Sequence, residues 1–344
     1  MTKFFPYNDA LATRINQEAN TLYDKLQTLD VDRLGMPEHC LLYFKGSHFN
    51  RLFFSIETSA RLLYQAIRET HQDPSELHVM DYGAGVGTLY TLAKMIGCKR
   101  VIYNDYLESW RQSAQLIAEA IGIQVDSYIT GDIETTLKTL AASGDSCDLI
   151  VSRNLIEHIY DLNAYYKIVQ QYFPQAILFS STTANDKNPG TRWQHKKIHT
   201  NIEKIYRGFR IEIIQKALPT LEEATVQELA TATQGLALDD LTNALQLFET
   251  NGQLPNPTVH RTNTCDPTTG LWAEHLISFE EYRAAIEPTG YRLSFRPGFW
   301  DTHYRSKIKN FVTTSLNAII TASPALGIRL APFIYIIAKP IHHE

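Results

Sequence analysis

The sequence has little of what marks several large classes of protein. Its four cysteines, Cys40, Cys98, Cys147 and Cys265, are isolated and form no Cys-x-x-Cys pair. This argues against a disulfide framework and against a zinc knuckle. Lys and Arg form no long run, and the formal net charge is −5 with a pI near 6.2. Because nucleic-acid binding needs a basic surface, we expect no nucleic-acid partner.

Long hydrophobic runs are also missing. The first residues lack the apolar stretch of a signal peptide. The most apolar region, residues 316–338, is interrupted by Pro324, Arg329 and Pro332, so it does not have the pattern of a membrane span. The sequence therefore predicts a cytoplasmic protein with no membrane span.

What is present is an alternation of strand and helix patterns that begins near residue 77. Short apolar runs, ending in "VMDYG", "VIYND", "YITGD", "LIVSRN" and "ILFSST", are separated by helical patterns. The first two of these helices should end near Gly97 and Gly122, since glycine adopts positive φ freely. Such alternation predicts an α/β fold with a doubly wound, mostly parallel sheet.

The flanking regions have different patterns. Residues 10–70 have helical periodicity with a break at Gly46, and residues 220–251 resemble an inserted pair of helices that ends near Gly252. Thr220 with Glu223 and Ser278 with Glu281 have the spacing of capping boxes. A polar loop is expected over 253–270. The predicted division is a helical extension (1–70), a core (71–215), a helical insertion with an acceptor loop (216–275) and a C-terminal part completing the sheet (276–344).

The stretch "HVMDYGAGVGTLYTLA", residues 78–93, has the pattern of a buried strand, a glycine-rich turn and a helix. Gly83 and Gly85 fit the dinucleotide fingerprint Gly-x-Gly-x-x-Gly, but Thr88 stands where its third glycine belongs. The third glycine of this turn is Gly87. The pattern thus argues against a pyrophosphate ligand such as NAD and favours a ligand that lacks phosphate.

Two acids follow at the ends of the next strands. Asp105 ends the second strand, where a carboxylate can accept both hydroxyls of a ribose. Asp132 ends the third strand, within reach of an adenine amino group. Each could instead cap the helix that follows it.

With these motifs the chain resembles the class I S-adenosylmethionine-dependent methyltransferases. Asp81-x-Gly83-x-Gly85-x-Gly87 matches the first motif of that family, Asp105 its ribose-binding acid, and Asp132-Ile133 its adenine-contacting pair. "NLIEHIYD", from Asn154, is similar to the segment after its fourth strand. The resemblance covers residues 75–180 by motif, and it extends to about residue 340 by strand order.

The resemblance implies a seven-stranded sheet and S-adenosylmethionine as the cofactor. It implies an active site at the carboxyl ends of the strands, near the switch point between strands one and four. The expected cofactor-binding residues are Asp81, Gly83, Ala84, Gly85, Gly87, Asp105, Tyr106, Asp132, Ile133 and Asn154. In-line methyl transfer needs mainly alignment and desolvation from the protein.

Candidates for acting on the acceptor follow the fourth strand and precede the sixth. We expect His158 to serve as general base, with His275 second and Glu157 beside them. The alternative is that Glu157 and His158 only bind backbone or water. Some RNA-ribose and quinone methyltransferases carry Glu-x-x-Glu-His here and hold a divalent metal. Because Asn154 replaces the first carboxylate, we predict no metal.

Other polar and aromatic residues are open to two interpretations. His195 and His199 could share a helix face as ligands or bases, but we expect a solvated basic turn. Trp193, Trp272 and Trp300 are expected in loops at the active edge, where they could form an acceptor pocket or anchor their loops.

The leading function is O-methylation of a small molecule or saccharide by in-line transfer with a His general base. The alternatives are a non-catalytic S-adenosylmethionine-binding regulator and another adenosyl-sulfonium transferase, such as an aminopropyl transferase. The fold alone does not select the acceptor, and the sequence gives no oligomeric state.

Overall fold

The structure, a computed structural model, describes residues 4–256 and 262–341. Its centre is a seven-stranded sheet in the order β3-β2-β1-β4-β5-β7-β6. The strands are β1 (His78–Tyr82), β2 (Arg100–Asp105), β3 (Ser127–Thr130), β4 (Leu149–Arg153), β5 (Ile177–Thr182), β6 (Tyr291–Pro297) and β7 (Ile334–Pro340). Neighbours from β3 to β5 are parallel, whereas β7 runs antiparallel to both β5 and β6. The predicted fold class is confirmed.

Helices cover both faces of the sheet and extend beyond it. They are α1 (Ala10–Gln27), α2 (Glu38–Tyr43), α3 (Leu52–Thr70), α4 (Leu89–Met95), α5 (Glu108–Ala120), α6 (Ile133–Ala142), α7 (Leu162–Tyr172), α8 (Pro189–Ala217), α9 (Glu223–Ala232), α10 (Leu238–Asn251), α11 (Phe279–Ile286), α12 (Lys307–Ala322) and α13 (Pro324–Leu330). None of the helices within the described residues is both long and apolar enough to cross a membrane.

Alternate residues of each central strand point to opposite faces of the sheet. Val79 and Val101 therefore join the core on the side of α1, α3 and α4. Their neighbours Met80 and Ile102 join the core on the side of α6, α7 and α11. The N-terminal helices are thus part of one covering layer. The chain around Gly46 remains helical but forms a π-helical turn, Phe44–His48, before α3 begins.

The helices α8, α9 and α10 share a separate small core, which includes Ile214, Val226, Leu229, Leu241 and Leu245. The C-terminal end of α8 therefore packs with the predicted insertion. The division of the chain into four parts stays a prediction.

Two of the predicted helix boundaries are confirmed and one is wrong. Ser278 and Glu281 form the predicted capping box, and α10 ends before Gly252 with φ +69°. The capping box at Thr220 is absent, because the chain turns there, with a Leu221 N to Leu218 O bond of 3.2 Å, and α9 begins at Glu223 without a side-chain cap. Residues 257–261 of the predicted polar loop lie outside the described residues.

Candidate cofactor and acceptor site

A glycine-rich turn joins β1 to α4 at the carboxyl edge of the sheet. Gly83 and Gly85 have φ of +66° and +52°, a region that residues with a side chain adopt only with strain. A Cβ on Gly83 would lie 2.5 Å from Leu155 Cδ2. The backbone of this turn therefore requires both glycines.

Asp105, the last residue of β2, ties this turn to the second strand. Its Oδ2 accepts a hydrogen bond from Gly85 N at 2.9 Å, and its Oδ1 accepts one from Leu107 N at 3.1 Å. Burial raises the pKa of this carboxyl above its usual value. Tyr106 is exposed beside it. Asp105 thus lies against the glycine turn, where the sequence predicts a ribose-binding acid.

Opposite charges flank the turn. Asp81 is buried at the end of β1 and accepts a hydrogen bond from Tyr90 N at 3.0 Å. Burial raises the pKa of Asp81 to about 7. Arg153 ends β4, the neighbouring strand. Its attraction to Asp81 counteracts part of that rise in pKa.

Arg153 was missed in the sequence. Its Nη1 donates to Ser55 O at 2.9 Å and to Thr58 Oγ1 at 2.8 Å, and its Nη2 donates to His48 Nδ1 at 3.1 Å. Burial lowers the pKa of His48 to about 3, so all three acceptors are neutral. Within residues 4–256 and 262–341, no carboxylate forms a salt bridge with Arg153. The guanidinium therefore keeps a positive charge available at the edge of the turn.

Two cavities adjoin at this edge. The cofactor cradle, as we name the first, is a cavity of about 80 Å³ lined by Tyr43, His48, Asp81, Gly83, Ala84, Gly85, Val86, Gly87, Thr88, Leu89, Arg153 and Asn154. The second, which we name the acceptor cavity, has about 220 Å³ and is lined by Ser47, Arg51, Phe54, Ser55, Thr58, Arg153, Asn154, Ser181, Thr183 and Phe333. Arg153 and Asn154 line both cavities, so a ligand in one abuts a ligand in the other.

The predicted adenine-contacting pair lies one strand further along. Asp132 caps α6, accepting a hydrogen bond from Thr135 N at 2.8 Å, and Ile133 is buried. Neither residue is among those lining the cofactor cradle. Their contact with a cofactor stays a prediction.

The predicted catalytic residues come together, but at a distance from the acceptor cavity. His158 Nδ1 lies 2.7 Å from Trp272 O. A carbonyl only accepts, so Nδ1 carries the hydrogen and Nε2 is the nitrogen able to take up a proton. His275 N donates to Glu157 O at 2.8 Å. Burial raises the pKa of the Glu157 carboxyl to about 7. None of these three residues lines the acceptor cavity.

The expectation of a solvated basic turn around His195 and His199 is wrong. Both residues lie on α8 and are buried. His195 Nε2 lies 3.4 Å from Glu274 Oε2, and His199 Nε2 donates to Glu274 O at 2.9 Å. Thr183 Oγ1, at the rim of the acceptor cavity, donates to the same Glu274 carboxylate at 3.2 Å. The i, i+4 spacing puts both histidines on one face of α8. The carboxylate and the backbone carbonyl of Glu274 are their polar partners on that face.

The three tryptophans do not form one pocket. Trp193 is exposed on α8, so its prediction as a loop residue is wrong. The Trp300 indole donates to Leu330 O at 2.9 Å and anchors its loop. Trp272 stacks on His275, with ring centroids 4.0 Å apart. Both rings line a separate cavity of about 670 Å³ between α7, α10 and α11.

The family model described as a methyltransferase domain matches residues 73–233. This span includes the glycine turn, Asp105, Arg153 and the strands β1 to β5. Residues 73–233 form a methyltransferase domain. The cofactor of this family is S-adenosylmethionine.

Relatives and solved structures are similar over different shares of the chain. The ubiquinone biosynthesis O-methyltransferase of Ruegeria sp. (strain TM1040) is 27% identical over 113 residues, which are 33% of this chain and 43% of that protein. Thus the match spans less than half of that relative. An S-adenosylmethionine-dependent methyltransferase from Mesorhizobium loti is 16% identical, with a TM-score of 0.40, covering 81% of this chain and 97% of that one. One from Archaeoglobus fulgidus is 15% identical, with a TM-score of 0.40, covering 88% and 100%.

Most residues that line the cofactor cradle belong to the predicted motifs. The residues that the sequence analysis missed, Tyr43, His48 and Arg153, lie outside those motifs. Arg153 stood directly before Asn154 at the end of a predicted strand, which was a usable signal. His48 and Tyr43 come from the N-terminal helices, and only the tertiary fold brings them to the glycine turn. Within the described residues, no group of three or more His, Cys, Asp or Glu side chains is placed to hold a metal ion.

Proposed function

We propose that this protein transfers the methyl group of S-adenosylmethionine to an oxygen of a small molecule or saccharide bound in the acceptor cavity. The observation that carries the proposal is the sharing of Arg153 and Asn154 by the cofactor cradle and the acceptor cavity. Two ligands that abut at these residues meet the main requirement of in-line transfer, which is alignment.

The cradle residues fit the chemistry of this cofactor. S-adenosylmethionine supplies a methyl group activated on a sulfonium sulfur. Its amino-acid end carries an ammonium and a carboxylate, which are the charges that Asp81 and Arg153 complement. Asp105 is proposed to accept the ribose hydroxyls, next to the backbone of Gly85. Asp132 and Ile133 remain the proposed contacts to adenine.

The acceptor cavity limits the size and character of the acceptor. Its volume is about 220 Å³, and Phe54 and Phe333 give it two aromatic walls. Ser181 and Thr183 add hydroxyl groups, and Arg51 adds a cation. A compact ring with a hydroxyl group satisfies these walls. The Ruegeria relative is an O-methyltransferase, which supports oxygen as the methylated atom.

A general base is proposed because an unassisted alcohol is a poor nucleophile near neutral pH. His158 is the first candidate, since its Nδ1 is held by Trp272 O at 2.7 Å and its Nε2 can take the hydroxyl proton. His275 is the second candidate, and Glu157 lies beside both. Because none of the three lines the acceptor cavity, proton removal requires the acceptor hydroxyl or the rim of the cavity to approach them.

The helices α9 and α10, within the predicted segment 220–270, are proposed to close over the acceptor. They pack on α8 through a core of their own, so they can shift without disrupting the sheet. Closure would exclude water and align the reactants.

The test is a transfer assay with methyl-labelled S-adenosylmethionine and a panel of phenols, catechols and sugars. The expected result is an O-methylated product identified by mass spectrometry. Phe54→Ala should raise the acceptor KM without changing cofactor affinity. Phe173→Ala, at a partly buried phenylalanine before β5 that lines neither the cofactor cradle nor the acceptor cavity, is the matched control and should leave KM unchanged. Cofactor binding with no transfer to any acceptor would favour the regulator alternative.

A further inference from the structure

The helix α12 presents an apolar face to the outside. Ile308, Phe311, Val312 and Ile319 are 80%, 75%, 50% and 43% exposed. With about 3.6 residues per turn, they fall on one stripe. Thr313 and Ile320, by contrast, are buried. A surface helix ordinarily turns its apolar stripe toward the core, so this outward stripe needs another explanation.

The charged residues of α12 itself, Lys307 and Lys309, are both positive. They lie on either side of the stripe by helical position. From residue 302 to residue 341 the sequence holds five Lys or Arg and no Asp or Glu, although the whole chain has a formal net charge of −5. An apolar stripe bordered by lysines is the pattern of a helix that lies in a membrane interface.

We propose that α12 binds the surface of an anionic lipid bilayer. Its axis lies in the plane of the interface, with Ile308, Phe311 and the rest of the stripe among the upper acyl chains. Lys307 and Lys309 lie level with the lipid phosphates. A second copy of the chain is a poorer occupant, because its α12 has no acidic residue to pair with these lysines, whereas anionic lipid supplies negative charge.

The stripe begins beside a cavity that shares lining residues with the acceptor cavity. Tyr304 and Arg305, just before α12, line a cavity of about 430 Å³ together with Arg51 and Phe54. Arg51 and Phe54 also line the acceptor cavity. A bilayer bound to α12 would therefore lie near the acceptor side of the molecule.

The test is co-sedimentation of the full chain with two kinds of vesicle. One is pure phosphatidylcholine, and the other contains about one third phosphatidylglycerol. The expected result is binding to the anionic vesicles only, weakened by added salt because of screening.

Two variants separate the contributions. Lys307→Gln/Lys309→Gln should weaken vesicle binding by about 10- to 30-fold, the loss expected for two lysines at an anionic surface. Ile308→Ser/Phe311→Ser should weaken it by about tenfold or more. The replaced apolar side chains are exposed, so circular dichroism and melting temperature should not change. Leu247→Ser, at an apolar residue of α10 that is 63% exposed, is the control and should bind as the parent protein does.

Three results would overturn the proposal. One is failure of the parent protein to bind anionic vesicles. Another is binding by both double variants that is as strong as that of the parent protein. The third is a dimer in light scattering that Ile308→Ser/Phe311→Ser converts to a monomer, without vesicle binding by the parent. In that case a second copy covers the stripe.

Discussion

Asp105→Ala should weaken S-adenosylmethionine binding without abolishing the fold. The carboxylate accepts from Gly85 N at 2.9 Å and from Leu107 N at 3.1 Å, so its removal frees the glycine turn from β2 and deletes the proposed acceptor for the ribose hydroxyls. Loss of a charged hydrogen-bond acceptor costs about 1.5–3 kcal/mol. This corresponds to about 10- to 150-fold in Kd. Isothermal titration calorimetry measures the change directly.

Asp126→Ala is a matched control for this experiment. Asp126 also accepts a backbone hydrogen bond, from Val101 N at 2.8 Å, and it binds Lys94. It lies just before β3, at the amino edge of the sheet. Both variants should lower the melting temperature, but only Asp105→Ala should lower cofactor affinity. Unchanged cofactor affinity in Asp105→Ala, or equal losses of cofactor affinity in both variants, would show that Asp105 does not bind the cofactor.

Arg153→Lys should lower cofactor affinity about tenfold in calorimetry, because lysine keeps the charge and loses the guanidinium fork; unchanged affinity would remove Arg153 from the cradle. Affinity should rise between about pH 6 and pH 8 because ionised Asp81, with a pKa of about 7, pairs with the ammonium, and Asp81→Asn should flatten this profile. In the ligand-free protein, the raised pKa of Asp81 contributes to the free energy of unfolding; this contribution is complete below pH 3.8 and is lost as the pH rises through about 7. Melting temperatures measured across this pH range check the expectation. His158→Ala or His275→Ala should cut turnover by about 10²–10⁴-fold with cofactor affinity unchanged, and full turnover in both variants would exclude these bases. Hydrogen exchange over residues 220–256 should slow when cofactor and acceptor are both bound. Exchange that does not depend on these ligands would show that α9 and α10 do not close over the acceptor.

Local signals in the sequence predicted the sheet and the glycine turn. Apolar runs of strand length, each ending in Gly, Asp or Asn, identify β1 to β4, because these residues serve the turns at the carboxyl edge. Ser278 with Glu281 predicted the start of α11, because both partners of a capping box lie within one helical turn.

The rest depended on contacts between distant segments. His48 and Arg153 lie 105 positions apart in the sequence, so no local pattern reports that they meet. His195 and His199 have a spacing that fits a helix face, yet their burial depends on Glu274, which lies after the insertion. Thr220 has the right spacing for a cap, but the turn from Leu218 to Leu221 takes its place. The residues that line the acceptor cavity come from segments far apart in the sequence. The residues of the cofactor cradle were therefore easier to predict.

We propose above all that the cofactor cradle at the end of β1 binds S-adenosylmethionine. The most direct test is calorimetric titration of the purified full chain, at about pH 8, with S-adenosylmethionine and separately with NAD. We expect saturable binding of S-adenosylmethionine at one site per chain and no binding of NAD. Binding of NAD without binding of S-adenosylmethionine, or no heat from either ligand, would contradict it.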